Sequence, residues 1–356
     1  MSRGSVEEPL VAVVIVNWNR PGDTIECLNS VFSGSYENYF VIVSDNGSDD
    51  CSVQRISKWA SGGDLSSRRT LLPVNHEIIG SSEIVNGAAR SGSCKLTLIE
   101  LAENAGFAAA ANRGITLAMR NPAVRYIWLL NNDTVVSQHC LRVMVSRMMD
   151  DGAATMCGSR LVNYYCPTEI EALGGARFYR LIGESRKIRK AHISRNVINN
   201  SDIERRIHHL VGASMLVSRS FVGTVGLMSE EYFMYYEEID WTLRARRRCK
   251  ILYAHEAVVM HKSGASFGGG DNICDQSARS AYFLTSSRLR FTKKFFWWAL
   301  PTVLAFSVVQ TLRALIKGNQ IAAVAMLNGI LAGLVGKPQS IMRERKRRFH
   351  GENRSA

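Results

Sequence analysis

The sequence lacks the signatures of several common protein classes. Its eight cysteines form no CxxC pair and show no metal-ligand spacing, which favours reduced thiols over disulfides or a zinc site. The N-terminus is polar and acidic, so we expect no signal peptide and a cytoplasmic protein. No internal repeat is present. The sequence also has no Ser-His or Cys-His signature, which argues against a mechanism with a covalent enzyme intermediate.

The chain does have an ordinary hydrophobic content and an excess of basic residues. Its 356 residues are 46% hydrophobic and 21% charged, which fits one large α/β domain with an appendage. The formal charge of +13 suits nucleic acid, anionic lipid or a pyrophosphate-bearing substrate. Basic residues interleave poorly with aromatic residues outside 282–298, so nucleic acid is the least favoured of these partners.

Strand and helix patterns alternate in the first half of the chain. Apolar, β-rich runs cover Leu10–Val16, Tyr39–Val43, Leu96–Leu101 and Tyr126–Leu130, and a small-residue helix pattern covers Ala108–Arg120. This alternation predicts a doubly wound parallel sheet, in which ligands bind at the carboxyl ends of the strands. Residues 61–93 have a weaker pattern, and 153–202 read as irregular β-structure.

The fourth of these strands ends in Asn131-Asn132-Asp133. A carboxylate beside amide oxygens suits Mg²⁺ or Mn²⁺, and such a metal usually arrives with substrate phosphates. Asn and Asp also punctuate ordinary turns, so on this motif alone a metal–diphosphate site and a plain turn are about equally favoured.

A second polar cluster holds three acids, Glu237, Glu238 and Asp240, among aromatic residues. Crowding and apolar surroundings raise carboxyl pKa values, which is how proteins make a general base for a hydroxyl. The alternative is an acidic first turn that complements the helix dipole. Downstream, His261 ends another apolar strand, where an imidazole completes a metal site or is simply a satisfied polar residue.

Two apolar runs, Phe295–Leu312 and Ile321–Val335, lie near the C-terminus. Each is near or below the roughly 20 residues that span a bilayer, so buried core helices compete with membrane association. Lys293-Lys294 and Arg343–Arg348 flank the runs, which places both ends at the anionic headgroups of one leaflet. We therefore expect a shallow or re-entrant hairpin, containing Pro301 as an interruption, rather than two crossings.

Several motifs follow one another in order along residues 10 to 300. They are Val14-Ile-Val-Asn-Trp-Asn-Arg20, Val43-Ser-Asp-Asn-Gly-Ser-Asp49, Asn104-Ala-Gly-Phe107, Asn112-Arg-Gly114, Leu129-Leu-Asn-Asn-Asp-Thr134, Gly212-Ala-Ser-Met-Leu216, Tyr235-Tyr-Glu-Glu-Ile-Asp-Trp-Thr-Leu-Arg244 and His261-Lys-Ser-Gly-Ala-Ser266. The ordered set is specific, although no single member is. By this set the chain resembles the family 2 glycosyltransferases, with most likeness to the rhamnosyltransferase-type branch of bacterial surface polysaccharide assembly.

The resemblance implies a role for each matching residue. Asp133, in the Asp-x-Asp position, and His261 would be metal ligands, and Glu238 would be the catalytic base, with Glu237 and Asp240 as alternatives. Asn131 stands where many relatives have a carboxylate, which should weaken metal affinity. The residues implied at the nucleotide, ribose, pyrophosphate and Asp-x-Asp positions are Asn17, Asn19, Asp45, Asn46, Asn104, Gly106, Phe107, Asn112, Asn131 and Asn132.

The resemblance also implies an organisation and an activity. It implies a GT-A fold with a mixed, Rossmann-like central sheet at 10–280, divided into nucleotide-binding (10–136) and acceptor-binding (137–280) halves. A polar tail at 1–9, membrane-associated helices at 281–340 and a basic tail at 341–356 complete the expected plan.

The implied reaction is inverting transfer of a sugar, with L-rhamnose as the candidate, from a dTDP- or UDP-linked donor to a glycan or polyprenyl-diphosphate-linked acceptor. We expect Mg²⁺ or Mn²⁺ as cofactor and a peripheral or monotopic location on the cytoplasmic face of the inner (plasma) membrane. A nucleotidyltransferase with the same sheet and an inactive sugar-nucleotide-binding protein are the alternatives.

Overall fold

The computed structural model describes residues 8–62, 73–85, 94–189, 199–245, 248–262 and 277–336. The chain forms two compact units. We call them the sheet unit and the helical unit, and they comprise respectively Met1–Arg177, Arg186–Glu230 and Glu237–Ser263, and Phe178–Ser185, Glu231–Tyr236 and Gly264–Ala356. The predicted basic tail at 341–356 and most of the N-terminal tail lie outside the described residues, and the predicted division at residue 136 stays a prediction.

The described elements follow in chain order. The strands are β1 (Leu10–Asn17), β2 (Tyr39–Asp45), β3 (His76–Gly80), β4 (Leu96–Glu100), β5 (Val124–Asn131), β6 (Thr134–Val136), β7 (Met156–Asn163), β8 (Ile170–Leu173), β9 (Gly175–Tyr179), β10 (Glu184–Lys187), β11 (His209–Leu210), β12 (Ser214–Ser218) and β13 (Ile251–His261). The helices are α1 (Pro21–Phe32), α2 (Ser52–Ala60), α3 (Ser81–Val85), α4 (Phe107–Arg120), α5 (Cys140–Asp150), α6 (Asn200–Glu204), α7 (Arg219–Val225), α8 (Glu237–Ala245), α9 (Ala278–Phe295), α10 (Leu300–Ile316) and α11 (Gln320–Val335).

The main sheet has ten strands in the order β3-β4-β2-β1-β5-β12-β7-β13-β6, with β8 paired to β7. β3, β4, β2, β1 and β5 run parallel, whereas β12 is antiparallel to both β5 and β7. The parallel sheet predicted from the alternation is confirmed for these five strands, and the sheet as a whole is mostly parallel, with the reversed strand β12 between two parallel blocks. The mixed sheet is confirmed.

Both faces of this sheet are buried. Along β1, Val11, Val13 and Ile15 belong to one apolar core, and Ala12 and Val14 belong to the other. Side chains of a strand alternate between the faces of its sheet, so a strand buried on both sides is apolar throughout. Residues from α1, α2 and α5 pack into the first core and residues from α4, α7 and α8 into the second.

Within the predicted low-pattern stretch 61–93, the structure contains the short elements β3 and α3. Their sequence, His-Glu-Ile-Ile-Gly followed by Ser-Ser-Glu-Ile-Val, has too few apolar positions for its periodicity to be read. β3 is a strand because it lies at the sheet edge and pairs with β4 over His76 to Gly80.

The helical unit contains α9, α10 and α11, whose small residues pack together. Ala281 of α9, Ala314 of α10 and Ala322, Ala323 and Met326 of α11 form one of its cores. The expected interruption at Pro301 is wrong, because Pro301 lies in the first turn of α10, where a missing backbone N–H costs nothing. The break comes earlier, at Phe296, and a short 3-10 turn (Trp297–Ala299) follows it.

One helix among the described residues, Trp297–Ile316, is long and apolar enough to cross a membrane as judged by its 20 residues and composition. α11 is shorter, with 16 residues. Both helices expose large apolar side chains, namely Val308, Val309, Leu312, Leu315, Ile316, Ile321, Val324, Leu327, Leu331 and Val335.

Candidate functional site

Parallel strands of the sheet unit end in polar residues at one edge of the sheet. β1 ends at Asn17 and β2 at Asp45, and the two residues are register partners. On the other side of β1, Asn131 at the end of β5 is paired with Val16. The register therefore brings these three strand ends together, at the carboxyl edge where α/β sheets bind ligands.

Asn17, Asp45 and Asn132 form a buried hydrogen-bond network. Asn17 Nδ2 donates to Asp45 Oδ2 at 2.6 Å, and Asn17 Oδ1 accepts from Thr24 Oγ1 at 2.6 Å. Asn132 Nδ2 donates to Asn17 Oδ1 at 3.3 Å and to Thr24 Oγ1 at 3.0 Å. The three residues are at most 7% exposed, so these bonds satisfy groups that would otherwise be costly to bury.

A tight turn after β2 extends this network. Asp45 accepts from Ser48 twice, from the backbone N at 2.9 Å and from Oγ at 2.7 Å. Gly47 adopts a φ of +68°, and a Cβ there would lie 2.5 Å from the carbonyl carbon of Glu103, so only glycine fits. Asn19 joins the turn through its backbone N, which donates to Ser48 Oγ at 2.9 Å, and its Oδ1, which accepts from the N of Asp49 at 2.8 Å.

Asn46 and Asn104 shape the chain before α4. Asn46 Nδ2 donates to Asn104 Oδ1 at 3.0 Å and to the Gly106 carbonyl at 3.2 Å, and Asn46 Oδ1 accepts from the N of Ala105 at 3.0 Å. Gly106 precedes Phe107, the first residue of the helix, with a φ of +94°. The predicted residues 104–107 thus form the entrance to a 14-residue helix whose N-terminal N–H groups and dipole favour an anion.

Asn112 lies elsewhere in this helix and is only 1% exposed. Its Nδ2 donates to the carbonyl of Met228 and to Glu230 Oε1, both at 2.9 Å, and its Oδ1 accepts from the N of Met228 at 3.0 Å. Its amide is therefore engaged in joining α4 to the segment after α7. The structure does not bring it into the strand-end network.

Asp133 and His261 meet at the same edge. β6 and β13 pair with Thr134 opposite His261, and the N of Lys262 donates to the carbonyl of Asp133 at 3.0 Å. His261 Nε2 lies 3.4 Å from Asp133 Oδ1, and His261 Nδ1 lies 2.9 Å from Glu171 Oε2. We call Asn17, Asp45, Asn132, Asp133 and His261 the strand-end cluster.

Neighbouring charges determine the pKa values of His261 and Glu171 at this end of the cluster. Burial alone would lower the pKa of His261, but the hydrogen bonds and charges of Asp133 and Glu171 outweigh it and raise the pKa to about 9. Burial alone would raise the pKa of Glu171, but His261 and Lys187 hold that pKa far below its usual range. Glu171 is therefore an ionised carboxylate that fixes the orientation of the imidazole.

The donor chemistry fits a divalent ion. A buried carboxylate and an imidazole nitrogen face each other, and the second ring nitrogen is held by a carboxylate, as in many metal-ligating histidines. Among the described residues, no group of three or more His, Cys, Asp or Glu side chains is arranged to hold a metal by itself. A site with so few protein ligands suits an ion that keeps waters and substrate phosphates as its other ligands.

Sequence reasoning missed several residues of this region. Glu171 lies in β8, inside the stretch read only as irregular β-structure, and carried no motif. Lys262 directly follows His261 in the chain, and its Nζ contacts Asp23 Oδ1 at 2.6 Å and Glu26 Oε2 at 2.5 Å. Burial would lower the pKa of Lys262, but these two carboxylates raise it instead, so the ion pairs tie α1 to the end of β13.

The acid pair, Glu237 and Glu238, opens α8. Each has a buried Oε2 without a hydrogen-bond partner in the described part of the chain. Burial raises the pKa of Glu238 to about 7, and burial together with the Glu238 charge raises the pKa of Glu237 well above its usual range. Tyr235 and Tyr236, just before the pair, have φ values of +66° and +72°, a costly conformation that is most frequent at functional sites.

Asp240, on the same helix, has a different environment. It is fully buried, and its Oδ1 accepts from Arg244 Nε at 2.6 Å. Arg244 also donates to the carbonyls of Val225 at 2.7 Å and Leu227 at 2.6 Å. Asp240 thus anchors α8, while no described hydrogen bond or ion pair links the acid pair to the strand-end cluster.

A mixed sheet with these polar strand ends is the architecture of GT-A glycosyltransferases, and comparison with known structures confirms the fold. A mannosyltransferase from Pyrobaculum calidifontis, solved with GDP-Man and Mn²⁺, is similar with a TM-score of 0.52 and 14% identity, over 94% of this chain and 89% of that chain. GalNAc-T7, solved with UDP, GalNAc and Mn²⁺, is similar with a TM-score of 0.51 and 14% identity, over 80% of this chain and 51% of its own.

Sequence comparison gives the family. The model of glycosyl transferase family 2 matches residues 12–80 and 75–225, so the chain belongs to that family and is a glycosyltransferase. No curated protein matches the chain in sequence.

Proposed function

We propose that this enzyme transfers a sugar from a nucleoside diphosphate donor to an acceptor hydroxyl with inversion at the anomeric carbon. The observation that carries the proposal is the pairing of Asp133 with His261, 3.4 Å apart, at the edge of a family 2 sheet. A dTDP- or UDP-sugar is the donor, and L-rhamnose is the sugar that the motif resemblance favours.

The strand-end cluster and the turn at Asn46–Asp49 hold the nucleotide, and the entrance to α4 lies along its diphosphate. Asp133 and His261 would hold Mg²⁺ or Mn²⁺, and Asn131 and Asn132 directly precede Asp133 in the chain. The metal, when bound, neutralises charge on the departing diphosphate. Glu171 keeps His261 in the tautomer and orientation that this role requires.

Glu238 is the general base. Its raised pKa near 7 lets it take up a proton at physiological pH, as catalysis at a hydroxyl requires. The acceptor oxygen bonds to the anomeric carbon on the face opposite the diphosphate, its proton passes to Glu238, and the carbon–oxygen bond to the diphosphate breaks. Burial and the charge of Glu238 raise the pKa of Glu237, so the two acids do not both ionise readily.

The acceptor is a glycan or a polyprenyl-diphosphate-linked sugar in cell-surface polysaccharide biosynthesis, reached from the cytoplasmic face of the inner (plasma) membrane. Exposed apolar side chains along α10 and α11, together with exposed Trp297 and Trp298, support peripheral or monotopic binding to that surface. Fractionation of full-length protein tests this: recovery in the soluble fraction without detergent would overturn the location.

A donor panel tests the reaction. Purified protein is incubated with dTDP- and UDP-sugars in Mn²⁺, Mg²⁺ or EDTA, and release of the nucleoside diphosphate is measured. We expect metal-dependent hydrolysis of one donor, lost in Asp133→Ala and kept in Asp150→Ala, which removes an exposed carboxylate at the end of α5. Pyrophosphate release from a nucleoside triphosphate would instead indicate a nucleotidyltransferase, and binding without turnover an inactive protein.

A further inference from the structure

Several buried polar groups on α9 lack hydrogen-bond partners within the described part of the helical unit. Arg290 Nη2 and Tyr282 Oη, both on α9, have no hydrogen-bond partner among the described residues. Tyr282 is only 8% exposed, and Arg290 uses its other terminal nitrogen to donate to the carbonyl of Glu231 at 3.1 Å. Buried donors without partners are rare in folded proteins and each needs an explanation, such as a bound ion.

The surrounding side chains form a positively charged face. Arg279, Tyr282, Arg290 and Lys294 recur every three to four residues, or multiples of that spacing, so they share one side of α9. Lys294 Nζ lies 3.1 Å from Glu231 Oε2, and the Arg279 guanidinium lies 5.8 Å from the centre of the Phe233 ring. We call these four residues the basic face of α9. Among the described residues, the carboxylate that pairs with this face is that of Glu231.

The segment Glu231–Tyr236 runs along this face and completes it. Phe233 stacks on Phe283 with the ring centres 4.5 Å apart, and Ser287 Oγ donates to the carbonyl of Met234 at 2.9 Å. Burial lowers the pKa of Arg279 and of Arg290. An anion placed here would offset the cost of burying these charges.

The backbone beneath the face is held rigidly. α11 approaches α9 so closely that a Cβ on Gly329 would lie 2.7 Å from the Tyr282 carbonyl oxygen, and one on Gly333 would lie 2.8 Å from the Ser286 carbonyl oxygen. The Gly-x-x-x-Gly spacing thus fixes the turn that carries Tyr282. A pre-positioned donor loses little entropy when a ligand binds.

The chemistry of the face selects the anion. A guanidinium with a terminal nitrogen that has no described partner, within electrostatic range of a phenol on the same side of α9, matches the several oxygens of a phosphate or diphosphate. α9 leads directly to Trp297 and Trp298, which are 75% and 51% exposed. An anion that carries an apolar chain therefore finds complementary groups for both of its parts within the helical unit.

We propose that Arg290 and Tyr282 bind the phosphate or diphosphate group of a lipid-linked ligand, and that this ligand is the acceptor. The identification with the acceptor rests on the proposed function. The same chemistry is offered by bulk phospholipid headgroups, so the experiment has to separate the two sources.

The test uses full-length protein in detergent and four variants: Arg290→Gln, Tyr282→Phe, their combination, and Arg313→Gln as a matched control. Arg313 is an exposed arginine on α10 of the same unit. For each protein, the KM is measured for a polyprenyl-diphosphate-linked acceptor and for a water-soluble acceptor without the diphosphate. Donor hydrolysis, pyrophosphate binding by calorimetry and binding to phosphatidylglycerol vesicles are measured in parallel.

We expect Arg290→Gln to raise the KM for the diphosphate-linked acceptor about ten- to a hundredfold, as loss of a charge-assisted hydrogen bond does. Tyr282→Phe, which keeps the ring and loses one donor, should raise it about threefold to tenfold. Pyrophosphate binding should weaken in parallel, while donor hydrolysis and the KM for the soluble acceptor stay within about twofold, and Arg313→Gln should change none of these.

Several results would overturn the proposal. If both variants keep wild-type pyrophosphate affinity and acceptor KM, or if Arg313→Gln shifts them equally, the basic face of α9 has no specific anion site. If only vesicle binding falls, the face binds phospholipid headgroups and not the acceptor. Absence of donor hydrolysis in the wild type would refute the proposed reaction, whereas pyrophosphate binding would still decide the existence of the site.

Discussion

The strand-end cluster and the acid pair are both buried polar groups of the sheet unit, but only the first is fully bonded. Asn17, Asp45 and Asn132 bond to one another and to Thr24 and Ser48. Glu237 and Glu238 each bury an oxygen that has no hydrogen-bond partner within the described residues. The strand-end cluster is held in a single arrangement by its hydrogen bonds, whereas the acid pair has carboxylate oxygens without a described partner.

The proposed function gives the two clusters different roles: the strand-end cluster positions the donor, and the acid pair takes part in the reaction. Bonded amides and carboxylates fix loops at small net cost, because each buried group has a partner. An unpartnered carboxylate costs about 1 to 3 kcal/mol of stability and tends to keep its proton, which is useful only if a substrate supplies the missing partner. Asp133 and His261 belong to the bonded strand-end cluster, but their pairing is made of groups that also ligate metals.

The largest loss of activity should come from removing Asp133, which tests whether the strand-end cluster also takes part in the reaction. Asp133→Ala should lower metal-dependent transfer by about three to four orders of magnitude, because a Lewis acid contributes several kcal/mol to the transition state. Steady-state turnover with saturating Mn²⁺ measures it. Activity within about tenfold of wild type, in a variant with an unchanged far-UV spectrum, would remove this residue from the mechanism.

Replacing Glu238 tests the role of the acid pair directly. Glu238→Gln keeps the shape of the side chain but cannot accept a proton, so turnover should fall by about two to four orders of magnitude while donor affinity is retained. The matched variant is Asp240→Asn, in which the acid is bonded to Arg244. A severe Asp240→Asn and a mild Glu238→Gln, in stably folded proteins, would show that the base has been assigned to the wrong acid.

The sequence alone was sufficient to place polar residues at strand ends, because that signal is local. Asn17, Asp45, Asn131 and His261 each end an apolar strand, and strand ends are visible in a run of residues. Glu171 was not predictable, because it reaches His261 across 90 positions and sits on a strand without clear alternation. The reversed direction of β12 was likewise hidden, since strand order depends on long-range pairing and not on periodicity.

A change at Glu171 sharpens the comparison, because it alters a contact of the strand-end cluster without replacing a proposed metal ligand. Glu171→Gln should weaken Mn²⁺ binding about ten- to a hundredfold, as loss of the carboxylate behind a ligating histidine does. The Mn²⁺ concentration that gives half-maximal donor hydrolysis measures it, with Glu169→Gln, an exposed neighbour, as control. Equal metal dependence in both variants would leave Glu171 with a purely structural role.

The smallest expected effect is on the free energy of unfolding, and it tests how much the ionisation of the buried Glu238 destabilises the fold. The folded-state pKa of Glu238 is about 7, above the roughly 4.3 of a carboxyl group in an unfolded chain. Between these values the folded protein binds more protons than the unfolded one, so the contribution of Glu238 to stability falls as pH rises from about 4.5 and levels off above about 7. A glutamine cannot ionise and escapes this loss.

Glu238→Gln should therefore match wild type near pH 4.5 and exceed it at pH 8, by on the order of 1 to 3 kcal/mol in the free energy of unfolding. Denaturant unfolding at pH 4.5, 6 and 8 measures the difference, and Glu256→Gln, an exposed glutamate on β13, provides the control for a general charge effect. A stability difference that stays constant across these pH values would mean that Glu238 is ionised at no cost in the folded enzyme. The acid pair would then be as well satisfied as the strand-end cluster, and its claim to be the proton acceptor would rest on position alone.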